Sequence, residues 1–253
     1  MKVSVSVGRA AAIALAALIG FFFARASTGL PHYGESRGPE ELRFAIQALA
    51  TRHATNLNAF VNFDYRSFDT LGEEFIFLEA IAGFSLLLAE RRGETSDEPL
   101  AAAPGRSSDH DDPVIRTMST AYAPIAILYG IYMAVHGQLT PGGGFQGGVI
   151  IATGVLALWW GGGYAAFQAI VPKEGAEAFE TVGAIGYVAI GIAALAVAGV
   201  FLRNVLPFGS SGALYSGGII DLLNVIVGAA IAGGFAVLFS EFVAETRADP
   251  DDA

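Results

Sequence analysis

The chain contains no cysteine, which removes disulfides, iron–sulfur ligation and thiol nucleophiles from its repertoire. Charge is scarce too: only 15% of residues are charged, where a soluble domain carries about 25%. The 14 Lys and Arg are outnumbered by 24 Asp and Glu and form no basic patch, so a nucleic-acid partner is not expected. The four histidines are scattered and make no metal cluster. No nucleophile–base pairing stands out, and the triple glycine Gly142–Gly144 lacks the Lys-Ser/Thr that a phosphate-cradling loop needs. Neither an enzyme nor a bound cofactor is expected.

What the chain has in quantity is apolar sequence. Apolar residues make up 53% of it, and the mean hydropathy is +0.53. The apolar stretches are unbroken and do not alternate, which argues against a membrane β-barrel and for spanning helices of about 20 residues. The expected class is an all-α integral membrane protein with about six transmembrane helices, two before an acidic linker and four after it.

The first run, about Val7 to Ala24, is long for a signal peptide, and Arg25 fits a cleavage point poorly, so a retained helix is expected. A polar stretch from Thr28 follows, then residues 42 to 63, where Arg43, Arg52 and His53 interrupt apolar positions as in an interfacial helix. Asp64-Tyr-Arg-Ser-Phe-Asp-Thr-Leu-Gly-Glu-Glu74 leads into a second span, Phe75 to Ala89, ended by Arg91 and Arg92. Residues 93–113 are acidic and poor in large apolar residues, and read as a flexible linker. Four further runs lie at about 114–135, 145–162, 182–202 and 214–240. Lys173, Glu174, Glu177 and Glu180 mark a polar loop between the second and third of them, and an acidic tail follows residue 245. With both termini in the cytoplasm, eight basic residues fall inside and six outside, which leans towards that orientation.

Chemistry is expected where ionisable or amide groups meet the membrane. Asp69 and Glu73, spaced i and i+4, share a helix face, with Asp64 and Arg66 just before them. Asp69 also suits a helix cap. In the last run Gly217, Asp221, Asn224 and Gly228 would form a polar and small stripe. A desolvated carboxylate there, near a cation or hydrogen-bond donor, would suit a site that exchanges a proton for a sodium ion. Glu79 falls mid-span and needs a partner, whereas Glu241 falls near the cytoplasmic end, where solvent is expected. The third place is His136-Gly-Gln-Leu-Thr-Pro-Gly-Gly-Gly-Phe-Gln-Gly-Gly-Val149. Pro141 fixes its own φ, Gly142, Gly143 and Gly144 open conformations closed to other residues, and Gly143/Gly147 and Gly144/Gly148 have the four-residue spacing of close helix approach. Gln138 and Gln146 could ligate a cation through their carbonyl oxygens or bind neighbouring helices together.

The motif Thr140-Pro-Gly-Gly-Gly-Phe-Gln-Gly-Gly148 resembles the signature of the B subunit of multisubunit Na⁺/H⁺ antiporters of the Mrp or Mnh type. Leu214-Tyr-Ser-Gly-Gly-Ile-Ile-Asp-Leu-Leu223 is similar to the last helix of that subunit, with Asp221 where several members place an aspartate. Gln138 departs from the pattern, standing where many members have histidine. Before the linker, Phe63-Asp-Tyr-Arg-Ser-Phe-Asp-Thr-Leu-Gly-Glu73 resembles a motif near the end of the antiporter A subunit, found also in a small subunit of membrane-bound hydrogenases. These resemblances imply two neighbouring subunits fused into one chain, working with other membrane subunits in a lipid bilayer. They imply Na⁺ and H⁺ as transported ions and Asp64, Asp69, Glu73, Asp221, Gln146 and Asn224 as candidates for an ion path. A subunit of a hydrogenase or related respiratory complex, or a packing subunit, remains the alternative.

Overall fold

Residues 5–29, 43, 46–92 and 112–248 are described by the structure, a computed structural model. The expected linker, except for Asp112 and Pro113, and the tail beyond residue 248 lie outside the described residues. The chain divides into two compact units, Met1–Glu41 and Leu42–Ala253. In the first, helix α1 runs over Val5–Ser27, and its described apolar stretch, Ile13–Arg25, is shorter than a membrane span.

Among its described residues, the second unit has a one-turn helix α2 (Leu57–Phe60) and five long helices: α3 (Ser67–Arg92), α4 (Pro113–Val135), α5 (Gly144–Ile170), α6 (Lys173–Ala198) and α7 (Ile219–Ala248). Among the described residues, four stretches are long and apolar enough to cross a membrane: Pro113–Val135, Gly144–Gly163, Glu174–Ala198 and Ile219–Val243. Helix α3 has comparable length, 26 residues or about 39 Å. Its acids Glu73, Glu74 and Glu79 and its terminal Arg91 and Arg92 set it apart from the other four. It nevertheless lies along α7 inside the bundle. The Phe77 ring is 5.2 Å from Phe235 and the Phe84 ring 4.8 Å from Phe242. The shared offset of these pairs makes α3 and α7 parallel.

Local sequence explains the helix ends. The Asp112 side chain accepts a 2.8 Å hydrogen bond from Val114 N and Pro113 occupies the first turn, where a missing N–H costs nothing. Pro172 precedes α6, and Gly199, at φ 69°, ends it in a left-handed conformation. Helix α5 breaks at Gly163, φ 71°, the end of its spanning stretch.

Helix α7 is the centre of the packing, in contact with α3, α4, α5 and α6, while α4 lies along α5. Glycine makes the α4–α5 approach possible. A Cβ at Gly147 would sit 2.6 Å from the Gly130 carbonyl oxygen. The core joins both sides of the expected linker: Phe60, Phe63 and Leu71 cluster with Tyr187, Leu223, Val227 and Ile231. Residues 46–92 and 112–248 therefore bury one another's apolar surface and form one packed body.

Several expectations need correction. Lys173 to Glu180 form no loop: they are the first turns of α6, and Glu180 is buried against α7, where Gly233 leaves space for it. Glu241 is not solvated but 1% exposed, at a level of α7 where Phe242 meets Phe84 of α3. The described residues of the stretch 42–63, expected as an interfacial helix, do not form one helix. They form π-type turns at Ala48–Arg52 and Val61–Tyr65 around α2, with Ala48, Ala54, Ala59, Phe60 and Phe63 in the core. Gly217 does not join the stripe on the last helix, since it sits at φ 83° in the turn before α7. Asp221 is accordingly the third residue of that helix rather than the eighth of a longer one.

Candidate functional site

The glycine-rich segment turns the chain from α4 into α5. Gly142 and Gly143 adopt φ 145° and 148°, a region that disfavours any residue with a Cβ. The turn is held from inside by Asn56, just before α2. Its Nδ2 donates to the carbonyls of Gly137 (2.7 Å) and Thr140 (2.9 Å), and its Oδ1 accepts from Asn58 N at 3.1 Å. Thr55 N and Asn56 N both donate to the Gln138 carbonyl, at 3.1 and 3.0 Å. The segment before α3 is thus the polar lining of the glycine turn.

Asn224, 0% exposed, fastens the turn to α7. Gly144 N donates to its Oδ1 at 2.9 Å, and its Nδ2 donates to the Ile220 carbonyl at 2.9 Å. Gly144 and Gly148 form the face against α7, since a Cβ would lie 2.1 Å from the Asn224 carbonyl at Gly144 and 2.8 Å from the Gly228 carbonyl at Gly148. Gly147 faces α4 instead. Of the two four-residue glycine pairs, Gly144/Gly148 is the packing pair.

The sequence-derived candidates are not gathered into one pocket. Asp69 and Glu73 are exposed on α3, and Asp69 is paired with Arg66. Asp64 is paired with Arg52 at 2.9 Å, and Arg52 also stacks over the Phe208 ring, 4.8 Å from its centroid. Gln146 is exposed on α5, and Pro141 is exposed at the tip of the turn. Asn224 is occupied with capping α5. Asp221 is half-buried near His136, its electrostatic neighbour, and the His136 ring stacks on Tyr132 at 4.1 Å.

Other polar groups entered the interior unannounced. Tyr187 of α6, fully buried, donates its hydroxyl to the Ser67 carbonyl at 2.9 Å and lies 3.1 Å from Ser67 Oγ. Buried Glu74 is close enough to Tyr187 to act on it electrostatically. An alternation of buried Ser67, Thr70 and Glu74 at helical spacing was the available signal, masked by the more conspicuous Asp69/Glu73 pair. Gln138 is 0% exposed, its Nε2 donating to the Leu214 carbonyl, and Ser216 is 1% exposed in the same turn.

Five long helices with a polar glycine turn at one end of the bundle define an all-α, multi-pass membrane protein. Residues 114–237 match the family described as a domain related to the MnhB subunit of Na⁺/H⁺ antiporters, so the chain carries an MnhB-related domain. A chain in the structure of the membrane-bound sulfane sulfur reductase, an archaeal respiratory membrane complex, superposes with a TM-score of 0.68 and 25% identity. The match covers 93% of this chain and 98% of that one. A chain of the Mrp complex from Dietzia sp. DQ12-45-1b superposes with a TM-score of 0.66 and 24% identity over all of this chain, which spans 27% of the other's length. An uncharacterized protein of Methanocaldococcus jannaschii is 28% identical over 243 residues, 88% of each chain.

Proposed function

We propose that this chain is a membrane subunit of a multisubunit Na⁺/H⁺ antiporter complex, contributing to an ion path or to its assembly and carrying no catalytic centre of its own. The match of residues 114–237 to the MnhB-related domain carries this reading. The likeness to the Mrp chain runs over the full length, which supports continuity of an A-type segment with the B-type domain in one polypeptide. The setting is the plasma membrane of a prokaryote, with both termini cytoplasmic, lipid around the bundle, and Na⁺ and H⁺ as the transported ions.

Glu79 argues for neighbouring subunits. It is exposed on α3, between Phe77 and Ile81, which meet Gly234 and Phe235 of α7. That level lies well inside the Ile219–Val243 span. A carboxylate facing hydrocarbon at such depth is costly, so another subunit must cover it.

A second reading is favoured by the near-complete mutual coverage with the sulfane sulfur reductase chain: the same subunit serving a respiratory membrane complex. Co-purification with nickel or iron–sulfur subunits would select it. The deciding experiment is sodium-dependent proton exchange in vesicles carrying the whole complex, comparing wild type with Asp221→Asn and Asp69→Asn and checking integrity on a native gel. Intact complexes that lose exchange are expected. Intact complexes with unchanged exchange would make the chain a scaffold.

A further inference from the structure

Buried oxygens without hydrogen-bond partners are uncommon, and each calls for an explanation such as a water or an ion. Among the described residues, five buried side-chain atoms lack a partner, and three of them border one junction: Gln138 Oε1, Ser216 Oγ and Asp221 Oδ1. Contacts already described bring these residues together. The Gln138 amide reaches the Leu214 carbonyl, two residues before Ser216. Gln138 Cβ lies 3.7 Å from where a Cβ would stand on Gly217, and Asp221 neighbours His136, two residues before Gln138. Gln138 and Ser216 are 0% and 1% exposed, so bulk water does not serve them.

We infer that Gln138 Oε1, Ser216 Oγ and Asp221 Oδ1 are protein ligands of a monovalent cation at the junction of the α4–α5 turn and the start of α7. The donor set is all oxygen, the preference of hard cations. Its formal charge is a single carboxylate, which balances one positive charge and falls short of what a divalent site gathers. The titratable side chain that acts electrostatically on Asp221 is His136, while Arg52 is paired with Asp64. The start of α7 presents the positive end of its dipole, but Ile219 N is occupied by Asn204 Oδ1 at 2.9 Å. The negative end of α4, at His136, lies on the other side. The inference deepens the antiporter reading by naming a cation-binding set that adds Gln138 and Ser216 to Asp221.

Ser216→Ala is the sharpest probe, because it deletes only a hydroxyl that makes no hydrogen bond. Without a ligand, removing an unsatisfied buried hydroxyl leaves the fold unchanged or more stable. Equilibrium binding of radiolabelled sodium to the purified complex, with choline as the balancing cation, is measured for wild type, Ser216→Ala and Asp221→Asn. The expected result is sodium affinity about tenfold weaker in Ser216→Ala, loss of one bound sodium per complex in Asp221→Asn, and sodium-specific thermal stabilisation in wild type that Ser216→Ala reduces. Unchanged sodium binding in both variants would overturn the site and leave water as what satisfies these oxygens, even if exchange in vesicles still depended on Asp221. Weakened binding in a complex without exchange activity would uphold the site and sink the antiporter reading instead.

Discussion

Asn224 and Gly144 meet as a side-chain amide and a helix start: Gly144 N donates 2.9 Å to Asn224 Oδ1, while a Cβ on Gly144 would collide with the Asn224 carbonyl at 2.1 Å. One residue of α7 thereby satisfies the first N–H of α5 and sets how closely the two helices approach. The first N–H groups of a helix have no partner within it, so at this buried end the cap comes from a neighbour.

Asn224→Leu should strand Gly144 N and cost about 1–3 kcal/mol. Thermal unfolding of the purified complex would read this as a lowered midpoint. A midpoint equal to wild type would mean that water replaces the amide.

Two glycines should part company. Gly144→Ala drives a methyl into backbone, which cannot move aside as a side chain can, and is expected to cost about 1–3 kcal/mol and reduce recovery of intact complex. Gly83 of α3 has nothing within 4 Å of an added Cβ, so Gly83→Ala should be neutral or stabilising by up to about 1 kcal/mol. Recovery on a native gel compares the two. Equal behaviour would contradict the packing described.

Removing the Asn56 amide should loosen the turn without disturbing the spans. Asn56→Ala leaves the Gly137 and Thr140 carbonyls without this donor, a loss of about 1–3 kcal/mol. Faster hydrogen exchange confined to residues 137–144 is the expected signature, and unchanged protection there would rule out the clamp.

Tyr187→Phe deletes the hydroxyl that joins α6 to the start of α3 through Ser67. The expected cost is about 1 kcal/mol, measured by thermal unfolding, and a midpoint equal to wild type would rule out this hydroxyl as a link between α6 and α3.

Much of the fold could be read along the chain. Hydropathy adds up residue by residue, so the runs near 114–135 and 145–162 matched the spanning stretches of α4 and α5 closely, and the glycine turn between them announced itself through Pro141 and its neighbours. Boundaries failed where polar residues lie inside helices. Glu174, Glu177 and Glu180 read as a loop because a charged cluster ordinarily marks solvent, yet Pro172 starts a helix there and Gly233 admits Glu180 to the interior. Of the expected candidates, Asp221 stands at the start of α7 beside His136, Asn224 is buried and caps α5, and Gln146, chosen for the same amide chemistry, is exposed on α5.

The sequence by itself determined the helical membrane class, the order of the spans and the position of the glycine turn, because these follow from local composition and backbone freedom. Only tertiary structure decided which acids are buried, which glycine pair packs, and that Asn56 closes a turn some eighty residues downstream. Those outcomes depend on what stands opposite each residue, and no local property of the chain encodes the opposite wall.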